Sequence, residues 1–159
     1  MENEEFDFHK IATFADACMR LGISAESLLV DSLGDNVAFL QAQALYKLLI
    51  IQKAINNGKW CNENGYSYSP YWMFYTKEKI ACLSEEEKQS LGIKPIISCV
   101  VAPDTGVSGV RCAGVFTRSG LIFTDAVFPI RFNSRKAALY AAHQFEDLFF
   151  QYYGIKVKA

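Results

Sequence analysis

The sequence has no long apolar segment and no secretory leader, and these absences exclude classes of membrane and exported protein. No apolar run approaches the roughly 20 residues that a helix needs to span a bilayer. The start, MENEEFDFHK, is acidic and lacks the basic segment followed by an apolar one that marks a signal peptide. We therefore expect a soluble, cytoplasmic protein without a membrane partner.

Paired cysteines, metal-binding spacings and nucleotide-binding loops are also missing. The five cysteines form no C-x-x-C pair, which is typical of reduced thiols. His9 and His143 do not lie at metal-ligand spacing from a cysteine or carboxylate. No G-x-x-x-x-G-K-[ST], G-x-G-x-x-G or G-x-S-x-G pattern occurs. We predict a protein that is not an enzyme, with no metal and no cofactor; a dyad of Cys112 with His143 is the alternative left open.

Charge is nearly balanced, which gives the chain little long-range attraction for any partner. Sixteen basic residues against 17 acidic ones leave −1, so binding to nucleic acid would need a local basic patch. The same balance gives little protection against self-association. With 159 residues, 51% of them hydrophobic, the chain is expected to form one domain, 1–159, around its own core.

Apolar periodicity predicts three main helices. The first covers 7–21, and the second covers 36–56 behind an N-cap at Asp35. The third runs from about 134 to 153. A further short helix is predicted to begin at Ser84.

Strand patterns lie between the second and the third main helix. The apolar run at 96–102 is typical of a buried strand. The segments 110–117 and 121–132 predict two strands joined by a tight hairpin at 118–120. Because helices and strands are segregated along the chain, we predict an α+β fold. It would have two N-terminal helices, an antiparallel sheet of about three to five strands, and a C-terminal helix packed on the sheet.

The predicted strand-to-helix junction, RFNSRKAALYAAHQF, carries a group of cations. Alternation with Ile130 and Phe132 would place Arg131 on the wetter face of the strand. Arg135 and Lys136 would lie in the first helical turn, where the helix dipole disfavours cations and attracts anions. Arg131, Arg135 and Lys136 are thus a candidate anion-binding group. The alternative is that these side chains are solvated or paired with acidic groups.

The stretch YSYSPYWMFY holds six aromatic residues in ten, a density found in protein interfaces as well as in cores. Few cations accompany it, so core packing plus protein contact is favoured over stacking on nucleobases. The last helix adds two aromatics that lie off its apolar stripe. The candidate interface residues are Tyr71, Trp72, Phe74, Phe150 and Tyr153.

Three blocks resemble a family of small uncharacterised α+β proteins common in gut anaerobic bacteria, their prophages and phages. These blocks are FADACMRLGISAESL, then LYKLLIIQKAINNGKW with SPYWMFY, and RFNSRKAALYAAHQFEDLFFQYY. The residues before the last strand, 127–129, and Lys136 depart from the family pattern. The resemblance implies an α+β fold and a phage or mobile-element setting, but no activity. The matching positions in the last block are Phe132, Ser134, Arg135, Ala138, Tyr140, Gln144, Phe145, Asp147 and Leu148.

Two functions are therefore expected. The first is a non-enzymatic accessory or structural protein of a phage, prophage or mobile element, acting through contact with a protein partner or with a second copy of itself. Such a chain would lie in the host cytoplasm or in the virion. The alternative is a module that binds nucleic acid or another polyanion at the basic junction from Arg131 to Lys136.

Overall fold

The computed structural model describes residues 6–25, 36–60, 66–100, 106–119 and 130–158. Within these ranges the helices are α1 (Phe14–Leu21), α2 (Val37–Ile55), α3 (Lys77–Ala81), α4 (Glu85–Ser90), α5 (Arg135–Gln144) and α6 (Glu146–Tyr153), with a 3-10 helix at Phe8–Lys10. The strands are β1 (Tyr66–Thr76), β2 (Lys94–Cys99), β3 (Val107–Ser119) and β4 (Ile155–Val157). They pair antiparallel in the spatial order β1-β3-β2-β4. The predicted α+β fold with an antiparallel sheet is confirmed.

The first predicted helix, 7–21, is divided into the 3-10 turn and α1 because Asp7 and Thr13 each act as an N-cap. The Asp7 carboxylate accepts a hydrogen bond from the His9 amide at the start of the 3-10 turn. Thr13 then caps α1 in a capping box with Asp16. The helix ends at Gly22, which takes a left-handed φ of 67°.

Helix α2 lies at the centre of the fold and is buried on more than one side, as its wide apolar face predicts. Its N-cap is Asn36, whose side chain accepts from two amides of the first turn, so the predicted cap at Asp35 is wrong by one residue. The predicted cap of α4 at Ser84 is confirmed, and it forms a capping box. The buried core combines α2 with α5, α6 and the sheet, through Leu48, Ile51, Ala54, Phe132, Ala138, Ala141 and Phe149.

The strand β2 differs from its prediction. It spans Lys94–Cys99 and alternates in exposure, with Ile97 68% exposed, so a fully buried strand is wrong. The hydrogen-bonded neighbours β3 and β4 cover the edges of β2 and neither of its faces, so pairing alone does not bury Ile97. The predicted hairpin at 118–120 lies partly outside the described residues. So do the end of the strand predicted at 96–102 and most of the strand predicted at 121–132, because 101–105 and 120–129 are not described.

The C-terminal helix is divided at Phe145, where a prediction of one helix over 134–153 is wrong. Phe145 has φ −117° and ψ 29°, which ends α5 and starts α6 in a new direction. As a result Phe150 turns inward and is only 2% exposed, packed with Val110 and Ile155. Gly154 then reverses the chain with a φ of 64°, and β4 comes directly after it.

The described part of the chain contains no helix that is both long and apolar enough to cross a membrane.

Candidate functional site

The strand-to-helix junction is fixed by side chains from α2. Arg131 donates its backbone N–H to the Gln52 Oε1 at 3.1 Å, and its carbonyl accepts from the Asn56 Nδ2 at 3.0 Å. The Asn133 N–H donates to the Asn56 Oδ1 at 3.0 Å. Gln52 and Asn56 are only 3% and 4% exposed. Inside the core their side-chain amides therefore make the backbone hydrogen bonds that a neighbouring strand would otherwise make.

The other side of the junction is held by β1. Phe132 and Tyr68 exchange two backbone hydrogen bonds, each of 2.9 Å. The Ser69 hydroxyl donates to the Ile130 carbonyl at 3.0 Å. Every backbone position from the Ile130 carbonyl to the Asn133 N–H therefore has a partner, which makes the junction a rigid support for the first turn of α5.

Three parts of the chain meet at the end of α2. The Asn56 Nδ2 that holds Arg131 also donates to the Trp60 carbonyl at 2.7 Å. Next to it, the Asn57 Oδ1 accepts from the Arg20 Nη2 at 2.5 Å, which ties the last turn of α1 to the same place. We call the three segments 17–25, 50–60 and 130–137 the basic end.

The described segments of the basic end carry positive charges only, and Asp16 directly precedes the first of them. Its three segments contain no acidic residue, and their six basic residues are Arg20, Lys53, Lys59, Arg131, Arg135 and Lys136. The side chains of Arg20, Lys59, Arg135 and Lys136 are exposed. Two ion pairs between described residues lie elsewhere, at Lys88–Glu85 and Lys94–Glu146.

Trp60 adds an aromatic surface to the basic end. Its side chain is 55% exposed, and the Lys53 Nζ lies 5.0 Å from the ring centroid. This is the geometry of a cation–π contact. Sequence analysis missed Trp60, Arg20, Lys53 and Lys59 because only the fold brings them to the junction.

The first turn of α5 lies where predicted, but in the described residues 130–132 the strand predicted to end at Phe132 is only an isolated bridge between Phe132 and Tyr68. Ser134 is the N-cap of α5 and accepts from the Ala137 amide at 3.1 Å. Arg135 and Lys136 occupy the first turn, which contains no acidic residue. Arg131 is half-buried between the buried Ile130 and Phe132. Whether this group binds an anion stays a prediction.

The candidate interface aromatics divide into inner and outer groups. Trp72 packs on Phe149, with ring centroids 4.7 Å apart, and on Tyr153, at 5.5 Å. Burial is the main cause that raises the pKa of Tyr153 to about 12. Phe150 was predicted to lie off the apolar stripe, and its burial makes that prediction wrong.

The outer group is smaller. Tyr71 is partly exposed and packs on Phe116, with ring centroids 4.4 Å apart. Phe74 is 37% exposed. Of the six aromatics in the stretch, Tyr66 and Phe74 are exposed, Tyr75 is buried and the other three are partly buried, so the stretch contributes both to the core and to the surface.

The alternative of a cysteine nucleophile finds no support in the electrostatics. Burial is the main cause that raises the pKa of the Cys112 thiol, and the Glu146 carboxylate raises it further. A thiol with a raised pKa stays protonated at neutral pH, the opposite of an activated nucleophile. Among the described residues, no group of three or more His, Cys, Asp or Glu side chains is placed to hold a metal ion.

A groove lies on the other side of the molecule, between α2, α6 and β4. Its volume is about 640 Å³, and its lining includes Val37, Leu40, Val100, Phe150, Ile155 and Val157. Val37 and Val100 are 47% and 51% exposed. This groove offers a concave surface, lined by apolar and some polar side chains, for contact with a protein.

No protein-family model, curated protein or solved structure matches this chain. The resemblance to phage and prophage proteins, and the setting that it implies, therefore stay predictions.

Proposed function

We propose that this protein binds a polyanion through the basic end. The observation that carries the proposal is that three described segments, which together contain six basic residues and no acidic one, meet at Asn56 and Asn57. Exposed cations grouped in this way, on a rigid support, form the electrostatic footprint of a protein that binds phosphates or sulfates.

Local charge, not net charge, governs such binding. The screening length at physiological salt is about 8 Å, so a docked anion responds mainly to charges near it. The basic end carries six positive charges while the whole chain carries −1, which leaves −7 for all other residues together. A near-neutral total therefore does not by itself argue against a polyanion ligand.

Preorganisation supports the same conclusion. The junction backbone is bonded to Gln52, Asn56, Tyr68 and Ser69, so the start of α5 is already in place before a ligand arrives. A rigid site loses less conformational entropy when a ligand binds. Only the long side chains of the cations themselves need to be ordered.

A charge-reversal pair tests the proposal. Arg135→Glu with Lys136→Glu should remove most of the binding to a labelled heparin fragment or oligonucleotide, measured by fluorescence anisotropy. The matched control is Lys156→Glu with Lys158→Glu, the same change in charge at two exposed lysines. These lie on or beside β4, the strand at the opposite end of the sheet from β1, which holds the junction. Equal affinity in both double variants would refute the proposal.

A second candidate function is self-association through the groove. The exposed Val37 and Val100 at its rim favour this protein-contact function, which is the one expected of an accessory or structural protein. Light scattering after size exclusion should then show a dimer that Val100→Asp dissociates. A monomer at every concentration would remove this candidate and leave polyanion binding untouched.

A further inference from the structure

Trp60 is the aromatic residue of the basic end whose exposure the fold does not explain. Among the described residues it belongs to neither hydrophobic cluster, and its indole is 55% exposed. Its backbone is nevertheless held firmly, since the carbonyl accepts from the buried Asn56 at 2.7 Å. The turn before it is fixed by left-handed residues, with φ 57° at Asn57 and 79° at Gly58. A large apolar ring is thus displayed on a rigid turn.

The ring is displayed among cations. The Lys53 Nζ lies 5.0 Å from the ring centroid, and Lys59 directly precedes Trp60 in the chain. The amide of Asn56 binds the main chain of Trp60 and that of Arg131 with the same nitrogen. A cationic group and a flat aromatic ring therefore lie next to each other at the end of α2.

We propose that the ligand of the basic end is a single-stranded nucleic acid, with one base stacked on the indole of Trp60. This inference rests on the proposed binding of a polyanion and names its class. Unpaired bases expose their flat faces, and an aromatic side chain beside cations binds both the base and the adjoining phosphates. A duplex keeps its bases stacked on each other, and heparin has no aromatic face, so neither would use Trp60.

Intrinsic fluorescence isolates this contact because the chain has two tryptophans, Trp60 and Trp72. Trp72→Phe leaves Trp60 as the single reporter, and an oligothymidine of about 12 nucleotides should quench it. The buried Trp72 indole N–H has no hydrogen-bond partner among the described residues, so phenylalanine at this position loses no such bond. In the matched variant Trp60→Phe, the remaining Trp72 signal should not change. No quenching of Trp60 at saturating oligothymidine would overturn the inference.

Affinity separates the inference from the proposal on which it rests. Trp60→Ala should weaken oligothymidine binding roughly 5- to 150-fold, while Trp60→Phe keeps most of it, because stacking is worth about 1–3 kcal/mol per base. Binding of heparin and of duplex DNA should change less than about twofold.

Suppose that Trp60→Ala binds oligothymidine normally while the Arg135 and Lys136 charge reversals abolish binding. The stacking inference is then wrong, and the polyanion proposal stands. If the charge reversals also leave binding unchanged, both are wrong. Tighter binding of duplex than of single strand by the wild-type chain would likewise overturn the single-strand assignment.

Discussion

Replacing Asn56 with alanine would remove the amide that joins three parts of the chain. The side chain makes three hydrogen bonds: it donates to the Trp60 and Arg131 carbonyls and accepts from the Asn133 N–H. Each bond contributes about 0.5–1.5 kcal/mol net, and an unsatisfied buried partner costs about 1–3 kcal/mol. Because Arg131 and Asn133 are only half-buried, water can bind some of the backbone groups that lose their hydrogen bonds to Asn56, which lowers the cost. We expect Asn56→Ala to lower the free energy of unfolding by about 3 kcal/mol.

Urea unfolding monitored by circular dichroism measures this loss. The midpoint should fall while the slope of free energy against urea stays the same, since the folded state keeps its compactness. The matched control is Asn57→Gly, which removes the exposed neighbour and its bond to Arg20 without straining the left-handed φ of 57°. The control should change stability by less than about 1 kcal/mol. A loss below about 1 kcal/mol in Asn56→Ala, or equal losses in the two variants, would refute the role given to Asn56.

Two further predictions concern ionisation. Burial raises the pKa of the Tyr153 hydroxyl from its ordinary 10.0 to about 12, so its contribution to stability is present below pH 10 and lost between about pH 10 and 12. Tyr153→Phe should make the unfolding free energy fall less steeply with pH over that window. An unchanged fall would contradict the claim that burial raises the pKa of the Tyr153 hydroxyl. Burial also raises the pKa of Cys112, so iodoacetamide at pH 8 should modify it more slowly than the exposed Cys82, as peptide mass spectrometry can measure. Faster modification of Cys112 would restore the hypothesis of a cysteine nucleophile.

Local signals in the sequence predict the ends of most elements well. Ser84 caps α4 as predicted, because a side-chain oxygen that accepts from the third amide acts within one turn, and Ser134 caps α5 in the same way. The exposure pattern of 130–132 agrees with alternation alone. Information of this kind does not depend on the rest of the fold.

Other features depend on contacts between distant parts of the chain, and local patterns do not predict them. Gln52 and Asn56 are polar residues four positions apart, and only the position of the junction shows that their amides are buried to bind it. The break at Phe145 has no glycine or proline to mark it. β4 is three residues long, and it is a strand because β2 offers it a free edge.

The candidate site shows the same limit. The sequence indicates Arg131, Arg135 and Lys136 because they are neighbours in the chain. Arg20 joins them through its hydrogen bond to Asn57, and Trp60 through its bond to Asn56. Lys53 lies in the last turn of α2, and Lys59 lies just beyond its end. The near-neutral total of the chain therefore does not show that three of its described segments bring six basic residues together.

The salt dependence of polyanion binding tests the central claim most directly. For an oligothymidine ligand, the logarithm of the affinity should fall linearly with the logarithm of salt concentration, by about 0.7 for each phosphate that the basic end neutralises. Arg135→Glu with Lys136→Glu should make that slope shallower by about two contacts, whereas Lys156→Glu with Lys158→Glu should leave it unchanged. An affinity that does not respond to salt, or a slope that both double variants share with the wild-type chain, would contradict the account.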